Sequence, residues 1–491
     1  MLFNSVEFVF FFLIVLALYY LIPVRARYLW LLGASYVFYM GWNPVYVLLL
    51  MFITGVTYIN AQWISIYHDE EPRKTRKLML IENTSICLLI LFYYKYTNFL
   101  IDLCAYVLPL GNLQHAHQDI LLPVGISFFT FQAMSYTFDV YSGKTQAEPN
   151  FLKYALFVSF FPQLLAGPIE RSGNLLKQIN RPKKFSFNDA RDGFLLMLWG
   201  FFLKIVIADR AAVAVNTVYS DIGHYEGWYL IFATFLFGIQ IYCDFAGYSV
   251  IAIGCAKILG FQLMENFDAP YLADSIADFW RRWHISLSTW FRDYVYIPLG
   301  GNRKGFLRKQ INRMIVFLLS GLWHGANLTF VAWGCLHGLY QIVQEILLPV
   351  RRVLVRILHL HTNSIGYKVY RAVLTFLMVN FAWIFFRAEN LHDAAAAVRS
   401  VIHARNPWIM LDGSIYNLGL NEKNMHLLLA GIFILLAADI LKAAGIRVRE
   451  VIARQDYPVR WIVMVFAIWF ILTFGIWGPS YQASQFIYFQ F

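Results

Sequence analysis

The sequence predicts an all-α polytopic membrane protein, and three observations carry that prediction. Of its 491 residues, 59% are hydrophobic and only 14% are charged, far from the balance of a soluble domain. Several apolar runs reach the roughly 20 residues needed to cross a ~30 Å hydrocarbon core. No long stretch alternates polar and apolar residues with the period of a strand. We expect one integrated membrane domain over 1–491, with N-terminal helices in 1–110, a core in 120–345 and C-terminal helices in 346–491. It holds about eleven spans, with interfacial or re-entrant segments besides.

The elements follow in order. Residues 6–22 are apolar but lack a basic leader and a small-residue cleavage site, so they read as a retained span rather than a removed signal peptide. Only Glu7 precedes the run's apolar centre, while Arg25 and Arg27 follow it. The bias puts the N-terminus outside and the Arg25–Arg27 turn in the cytoplasm. Residues 28–42 and 45–64 make two further spans, which returns the basic stretch 68–78 to the cytoplasm, as its charge requires. A fourth span, 79–94, ends in the aromatic anchor Tyr93-Tyr-Lys-Tyr96 with a snorkelling lysine. Residues 112–119 form a polar turn.

The run from Leu122 to Tyr141 mixes Pro, Gly, Ser, Thr and Gln with apolar residues, which suits a helix facing protein or a cavity rather than lipid. Leu165-Ala-Gly-Pro-Ile-Glu-Arg171 reads as a broken or re-entrant segment. A basic, cytoplasmic connection covers 171–191. Span 193–208 carries Lys204, and 229–259 is long enough for one long or two short helices. Residues 279–296 are too charged to span and too aromatic for a solvated loop, so they are placed at the interface. Residues 300–313 form a second basic loop. Spans at 315–339, 369–386, 427–441 and 461–476 complete the set. The net charge of +11 is carried by these short loops and is not read as nucleic-acid binding. The five cysteines lack metal-ligand or redox spacing and read as small core residues.

Two histidines stand out. His324 lies in Ser320-Gly-Leu-Trp-His-Gly-Ala-Asn327, inside the apolar run 315–339. An ionisable residue at membrane depth is costly and reads first as functional; the alternative is a histidine bonded between helices for packing. Gly321 and Gly325 allow another backbone to approach. Read as one helix, the run puts Ser320 and Asn327 on the side of His324, next to Trp323. A buried neutral imidazole suits deprotonation of a hydroxyl attacking an acyl carbonyl. His284 ends Trp280-Arg-Arg-Trp-His284, where Arg281 and Arg282 can anchor the interface or hold an anionic group. Asp244 reads as a buried acid that pairs with Lys257 or an arginine. At about 100° per residue His337 falls on the far face of the His324 helix and reads as structural. No metal site, phosphate-binding loop or nucleophile elbow is expected.

These residues occur within an ordered set: Leu122-Pro-Val-Gly-Ile-Ser-Phe-Phe-Thr-Phe-Gln132, Ala166-Gly-Pro-Ile169, Asp244-Phe-Ala-Gly-Tyr248, Glu265-Asn-Phe267, Phe279-Trp-Arg-Arg-Trp-His284, Ile297-Pro-Leu-Gly-Gly301, Gly321-Leu-Trp-His-Gly-Ala326, Phe385-Phe-Arg-Ala-Glu-Asn390 and the terminal Gln485-Phe-Ile-Tyr-Phe-Gln-Phe491. The set resembles the membrane-bound O-acyltransferase family, most closely its bacterial alginate O-acetylation branch, nearly end to end. The resemblance implies helices ringed around a central tunnel, with the family's two histidines at His324 and His284. It implies a multi-pass protein of the bacterial plasma membrane. It further implies no permanently bound cofactor, and acetyl-CoA or another activated donor on the cytoplasmic side. A separate extracytoplasmic acetyltransferase and an exported, alginate-like or cell-envelope polysaccharide complete the expected partners. His324 would be general base or transient acyl carrier; Trp323, Ser320, Asn327, Arg281, Arg282, Asp244 and Tyr248 would line substrate or tunnel. The rival readings are D-alanyl transfer to teichoic acid from a carrier protein, a transporter or channel with a proton-relay histidine, and a scaffold. Transporters of that kind commonly show paired halves with interrupted helices, and none is evident.

Overall fold

The computed structural model describes residues 1–67, 73–107, 117–165 and 167–476. Among them every regular element is helical. The predicted loop 68–78, the polar turn 112–119, the Ala166 motif and the terminal 485–491 motif lie wholly or partly outside the described residues. The chain falls into two compact units, Met1–Met197 with Tyr248–Glu265, and Leu198–Gly247 with Asn266–Phe491. Among the described residues six helices are long and apolar enough to cross a membrane: Tyr46–Ile66, Lys74–Ala105, Trp228–Ile258, Ile365–Arg387, Glu422–Ala443 and Tyr457–Phe474. Shorter or more charged helices, among them Val6–Leu21 and Gly305–His324, account for other runs in the predicted count. The protein is a multi-pass helical membrane protein.

In the first unit, Val6–Leu21 turns its apolar exposed side outward, with Val9, Phe10, Leu13 and Ile14 more than half exposed. By contrast, Ile126–Tyr141 buries every residue except Phe138 and Tyr141. Its Ser, Thr and Gln content therefore serves protein contact, as the sequence suggested. The helix Arg73–Val107 runs on past the Tyr93–Tyr96 anchor where the sequence placed its end.

The helix Phe151–Ser159 breaks at Phe160 and restarts as Phe161–Leu164, with Pro162 in the first turn. A break strands backbone groups that lipid cannot satisfy. Here the Phe161 amide donates to Ser35 Oγ at 3.0 Å. The Phe157 carbonyl accepts from Gln132 Nε2 at 2.5 Å and Gln163 Nε2 at 3.0 Å. Those buried side chains are what make the break tolerable. Nearby, Glu170 is fully buried and ties the segment after the break to a second strand of chain. Its carboxylate accepts from the Met264 amide at 2.5 Å and from Asn174 Nδ2 at 2.7 Å.

The run 193–208 is not one regular helix. A π-helical stretch, Phe202–Ala208, interrupts it and continues as Asp209–Tyr219. The predicted basic loop 300–313 is helical from Gly305. Tyr457–Phe474 buries only Ile471, as a lipid-facing helix would.

Candidate active site

The central correction concerns His324. The apolar run 315–339 is a helical hairpin, Gly305–His324 followed by Leu328–Ile346. His324 is the last helical residue, and Gly325 turns away with extended backbone (φ −161°). Asn327 does not share a helix face with Ser320; it caps the second helix, accepting from the Thr329 amide at 3.0 Å. Its Nδ2 donates to the Glu389 carbonyl at 2.7 Å. Nothing in the run's composition marks this break, because it contains no proline and its polar residues fit either reading.

The two glycines do permit close approach, and the approaching partner is the hairpin's other arm. A Cβ on Gly321 would lie 2.3 Å from the Phe330 carbonyl oxygen, and one on Gly325 would lie 2.0 Å from the Phe330 ring. Across the hairpin, a Cβ on Gly334 would meet the Phe317 carbonyl at 2.3 Å.

This packing sets His324 among rings. Its imidazole is 3% exposed. It lies 5.0 Å from the Trp323 ring, 5.1 Å from Trp333 and 5.4 Å from Phe386, all edge-on. The His284 ring centroid is 6.4 Å away, and Trp323 touches both imidazoles. The structure thus brings together the two histidines that the sequence singled out.

His284 sits between two seven-residue helices, Ile276–Arg282 and Ile285–Phe291, in left-handed backbone (φ +43°). That conformation is uncommon for a residue with a Cβ, and such strain persists only where surroundings enforce it. Asn266 supplies the enforcement. Its carbonyl accepts from the Ile285 amide at 3.0 Å. Its Oδ1 accepts from the Ser286 amide at 3.2 Å and Ser286 Oγ at 3.0 Å. Because a backbone amide can only donate, the atom facing it is the oxygen of the Asn266 amide. His284 Nδ1, 3.2 Å from the same oxygen, must then be the protonated nitrogen. The lone pair of the neutral ring is left on Nε2. Burial among Phe245, Trp323 and the turn pushes the imidazole down to about 3, so the ring is neutral and basic in form.

The other predicted residues separate. Ser320 and Trp323 are buried on the His324 helix. Arg281 is exposed and Arg282 is half-buried, and both face Asp278, at 3.9 and 2.8 Å; their ion-pair partner lies on their own helix. Asp244 pairs with Lys204, a cation the sequence did not assign to it. Lys204 Nζ contacts Asp244 Oδ1 at 2.6 Å and Asp209 Oδ1 at 2.9 Å, all buried, while Lys257 faces Asp192 and Asp189. In the first unit, Tyr248 donates to Asn4 Oδ1 at 3.2 Å. His337 is on the second arm of the hairpin, not the far face of the first. Its Nδ1 accepts from Trp280 Nε1 at 3.2 Å, which places its proton on Nε2 and suits the structural role assigned to it.

Sequence reasoning missed Asn266, Trp333, Phe386 and Lys204. Asn266 stood within the Glu265-Asn-Phe267 motif without a role, and Lys204 was noticed only as a lone cation in an apolar run. Among the described residues no cluster of His, Cys, Asp and Glu could hold a metal ion. Glu389, whose carbonyl holds Asn327, also lines a cavity of about 990 Å³. His392, Asp393, Arg399 and the exposed Trp408 line it too.

The chain matches known proteins along most of its length. It is 41% identical to the probable alginate O-acetylase AlgI of Pseudomonas putida over 401 residues, 80% of this chain and 79% of that one. It is 34% identical to the peptidoglycan O-acetyltransferase of Helicobacter pylori over 439 residues, 82% and 80% of the two chains. Similarity to the teichoic acid D-alanyltransferase of Bacillus subtilis is 28% over 239 residues, covering 46% of this chain and 59% of the other. The family model for membrane-bound O-acyltransferases matches residues 34–386, a range that contains His284 and His324, and the chain belongs to that family.

Proposed function

We propose that this O-acyltransferase moves an acetyl group from an activated cytoplasmic donor, acetyl-CoA or a comparable thioester, toward hydroxyls of an exported or cell-envelope polysaccharide. The bacterial inner membrane is its proposed location, with the N-terminus outside and a separate extracytoplasmic acetyltransferase completing delivery. The observation that carries this reading is the pair of buried imidazoles, His324 and His284, 6.4 Å apart inside a wall of rings.

In this reading His324 takes the proton of an attacking hydroxyl as the new O–C bond forms at the acyl carbonyl. The thiolate then leaves and is protonated. A water-poor aromatic setting strengthens the hydrogen bonds between this base and the reacting atoms. The alternative at the same residue is a transient N-acyl imidazole, in which His324 is the nucleophile. His284, its proton fixed on Nδ1, would offer its Nε2 lone pair to the same space. Support for acetate as the group and a polysaccharide as the acceptor comes from the alginate and peptidoglycan O-acetylating relatives.

The test compares wild-type cells, a deletion strain and a His324→Ala strain with matched protein levels in the membrane. Base-labile acetate and D-alanine are measured on envelope and secreted glycans. Loss of acetate in both mutants is expected. Loss of D-alanine instead would favour the carrier-protein reaction, and unchanged acetate in His324→Ala would remove the histidine chemistry.

A further inference from the structure

The first unit contains a cavity of about 350 Å³ whose wall is strongly cationic. Arg25, Arg27, Lys153, Arg181 and Lys183 line it, and among the described residues no acidic side chain does. Its volume lies within the roughly 300–1,000 Å³ usual for small-ligand sites. Five cations converging without a counter-charge repel one another, so the arrangement needs either solvent or an anion to be comfortable.

Several of these groups are held in place. Arg27 donates to three carbonyls, Nη1 to Lys183 at 2.7 Å, Nε to Ile22 at 3.1 Å and Nη2 to Tyr20 at 3.2 Å. Those bonds fix the guanidinium without neutralising it. Lys153 Nζ donates to Asn180 Oδ1 at 2.8 Å, and Asn180 in turn donates to Glu148, a carboxylate outside the cavity wall. Lys183 donates to Gln178 at 3.3 Å, and its ammonium stands 4.9 Å above the Phe261 ring. Burial, and then the neighbouring Arg181, lower the Lys183 pKa from its ordinary value; the charge of an anion in the cavity would oppose both effects. Arg25 and Arg181 are exposed and can swing.

Apolar and aromatic side chains line the same cavity: Val24, Tyr28, Leu31 and Leu156 contribute, and the Lys153 ammonium stands 5.7 Å from the Tyr28 ring centroid. The outward side of Val6–Leu21 ends at Leu21, 78% exposed, three residues before Val24. Lipid-facing surface thus leads directly to the cationic wall, on the side of the membrane that the charge bias assigns to the cytoplasm.

We propose that this cavity binds the phosphate ester of an anionic glycerophospholipid, its headgroup among the five cations and its acyl chains along the outward side of Val6–Leu21. Basic pockets between membrane helices on the cytoplasmic side suit such headgroups. The same phosphate chemistry could be met by a soluble phosphate ester, so the experiment has two arms.

Full-length protein is reconstituted into phosphatidylcholine nanodiscs and titrated with phosphatidylglycerol, with retained lipid counted by native mass spectrometry. The variant Arg25→Gln/Arg181→Gln/Lys183→Gln is compared with Arg303→Gln/Lys304→Gln/Arg308→Gln, which removes equal charge from the other basic stretch. Folding is checked by size exclusion, and Arg25→Gln/Arg181→Gln, two exposed positions, serves if the triple variant fails. Affinity for phosphatidylglycerol is expected to fall on the order of fivefold per cavity cation removed, with the Arg303 set close to wild type. The second arm adds 3′,5′-ADP and inorganic phosphate. If either displaces phosphatidylglycerol, or binds where the lipid does not, the site takes phosphate from solution and the lipid assignment fails. Equal weakening in both variant sets, or no phosphate ligand bound at all, overturns the proposal.

Discussion

His284 Nδ1 lies 3.2 Å from Asn266 Oδ1, and that oxygen is simultaneously claimed by the Ser286 amide. One asparagine therefore fixes both the tautomer of a buried histidine and the turn that presents it. Asn266→Leu is expected to lower acetyl transfer by roughly 10- to 100-fold, the range seen when a group that orients a metal-binding imidazole is lost. Asn266→Asp keeps the acceptor but adds a carboxylate, which raises the His284 pKa. A larger fraction of the ring is then protonated at any given pH, so activity falls off at higher pH than in wild type. A pH profile of acetyl transfer in membrane vesicles reads both effects. A profile unchanged in both variants would separate Asn266 from function.

The hairpin glycines make unlike predictions. Gly325→Ala drives a methyl into the Phe330 ring, a side chain that can be shortened, whereas Gly321→Ala drives one into the Phe330 backbone carbonyl. Each overpacking is expected to destabilise by about 1–3 kcal/mol. Adding Phe330→Leu should recover the membrane level and thermal midpoint of Gly325→Ala. It should do nothing for Gly321→Ala, since the obstructing oxygen remains. Equal rescue of both would mean that the hairpin is not packed as described.

Much of this site was legible in the chain because membrane burial makes polar residues conspicuous. His324 and His284 stood out against apolar and aromatic neighbours, and the structure sets their rings side by side. The break at Gly325 did not stand out, since an apolar run with glycines reads equally as one helix or as a hairpin. Counting helical turns through that unseen break put Asn327 beside His324 and His337 behind it, and both placements were wrong for the same reason. Asp244 was recognised as a buried acid, but its contact with Lys204 comes from another helix and was not foreseen. Pairing between helices depends on the angle and offset of two backbones, and residue spacing within one helix carries no trace of either.

Lys204 contacts two buried carboxylates, Asp244 and Asp209, at 2.6 and 2.9 Å. Gly247 allows the helix of Asp244 to pack this closely, because a Cβ there would lie 2.9 Å from the Gly200 carbonyl. Lys204→Met takes one cation from two acids and is expected to cost about 3–5 kcal/mol, as for other buried pairs broken on one side. Lys204→Met/Asp244→Asn removes charge from both sides and should be more stable than the sum of the single variants predicts. Thermal unfolding in detergent of the three variants gives the comparison. Strict additivity would show that the contact does not couple them.

Glu170 sets a pH dependence of stability that is independent of the histidines. Burial raises its carboxyl from 4.5 to about 7, against the opposing pull of the Met264 amide and Asn174. Between those values the folded protein keeps a proton that the unfolded chain has released. The folded state therefore binds more protons, and stability falls as pH rises through that window. Wild-type protein is expected to unfold a few degrees higher at pH 5.5 than at pH 8, on the scale by which small free-energy changes move thermal midpoints. Glu170→Gln removes the titration and should flatten this difference, although its amide can satisfy only one of the two donors and will lower the midpoint at both pH values. If the pH difference survives in Glu170→Gln, some other group carries it, and the buried clamp on Met264 is ionised throughout.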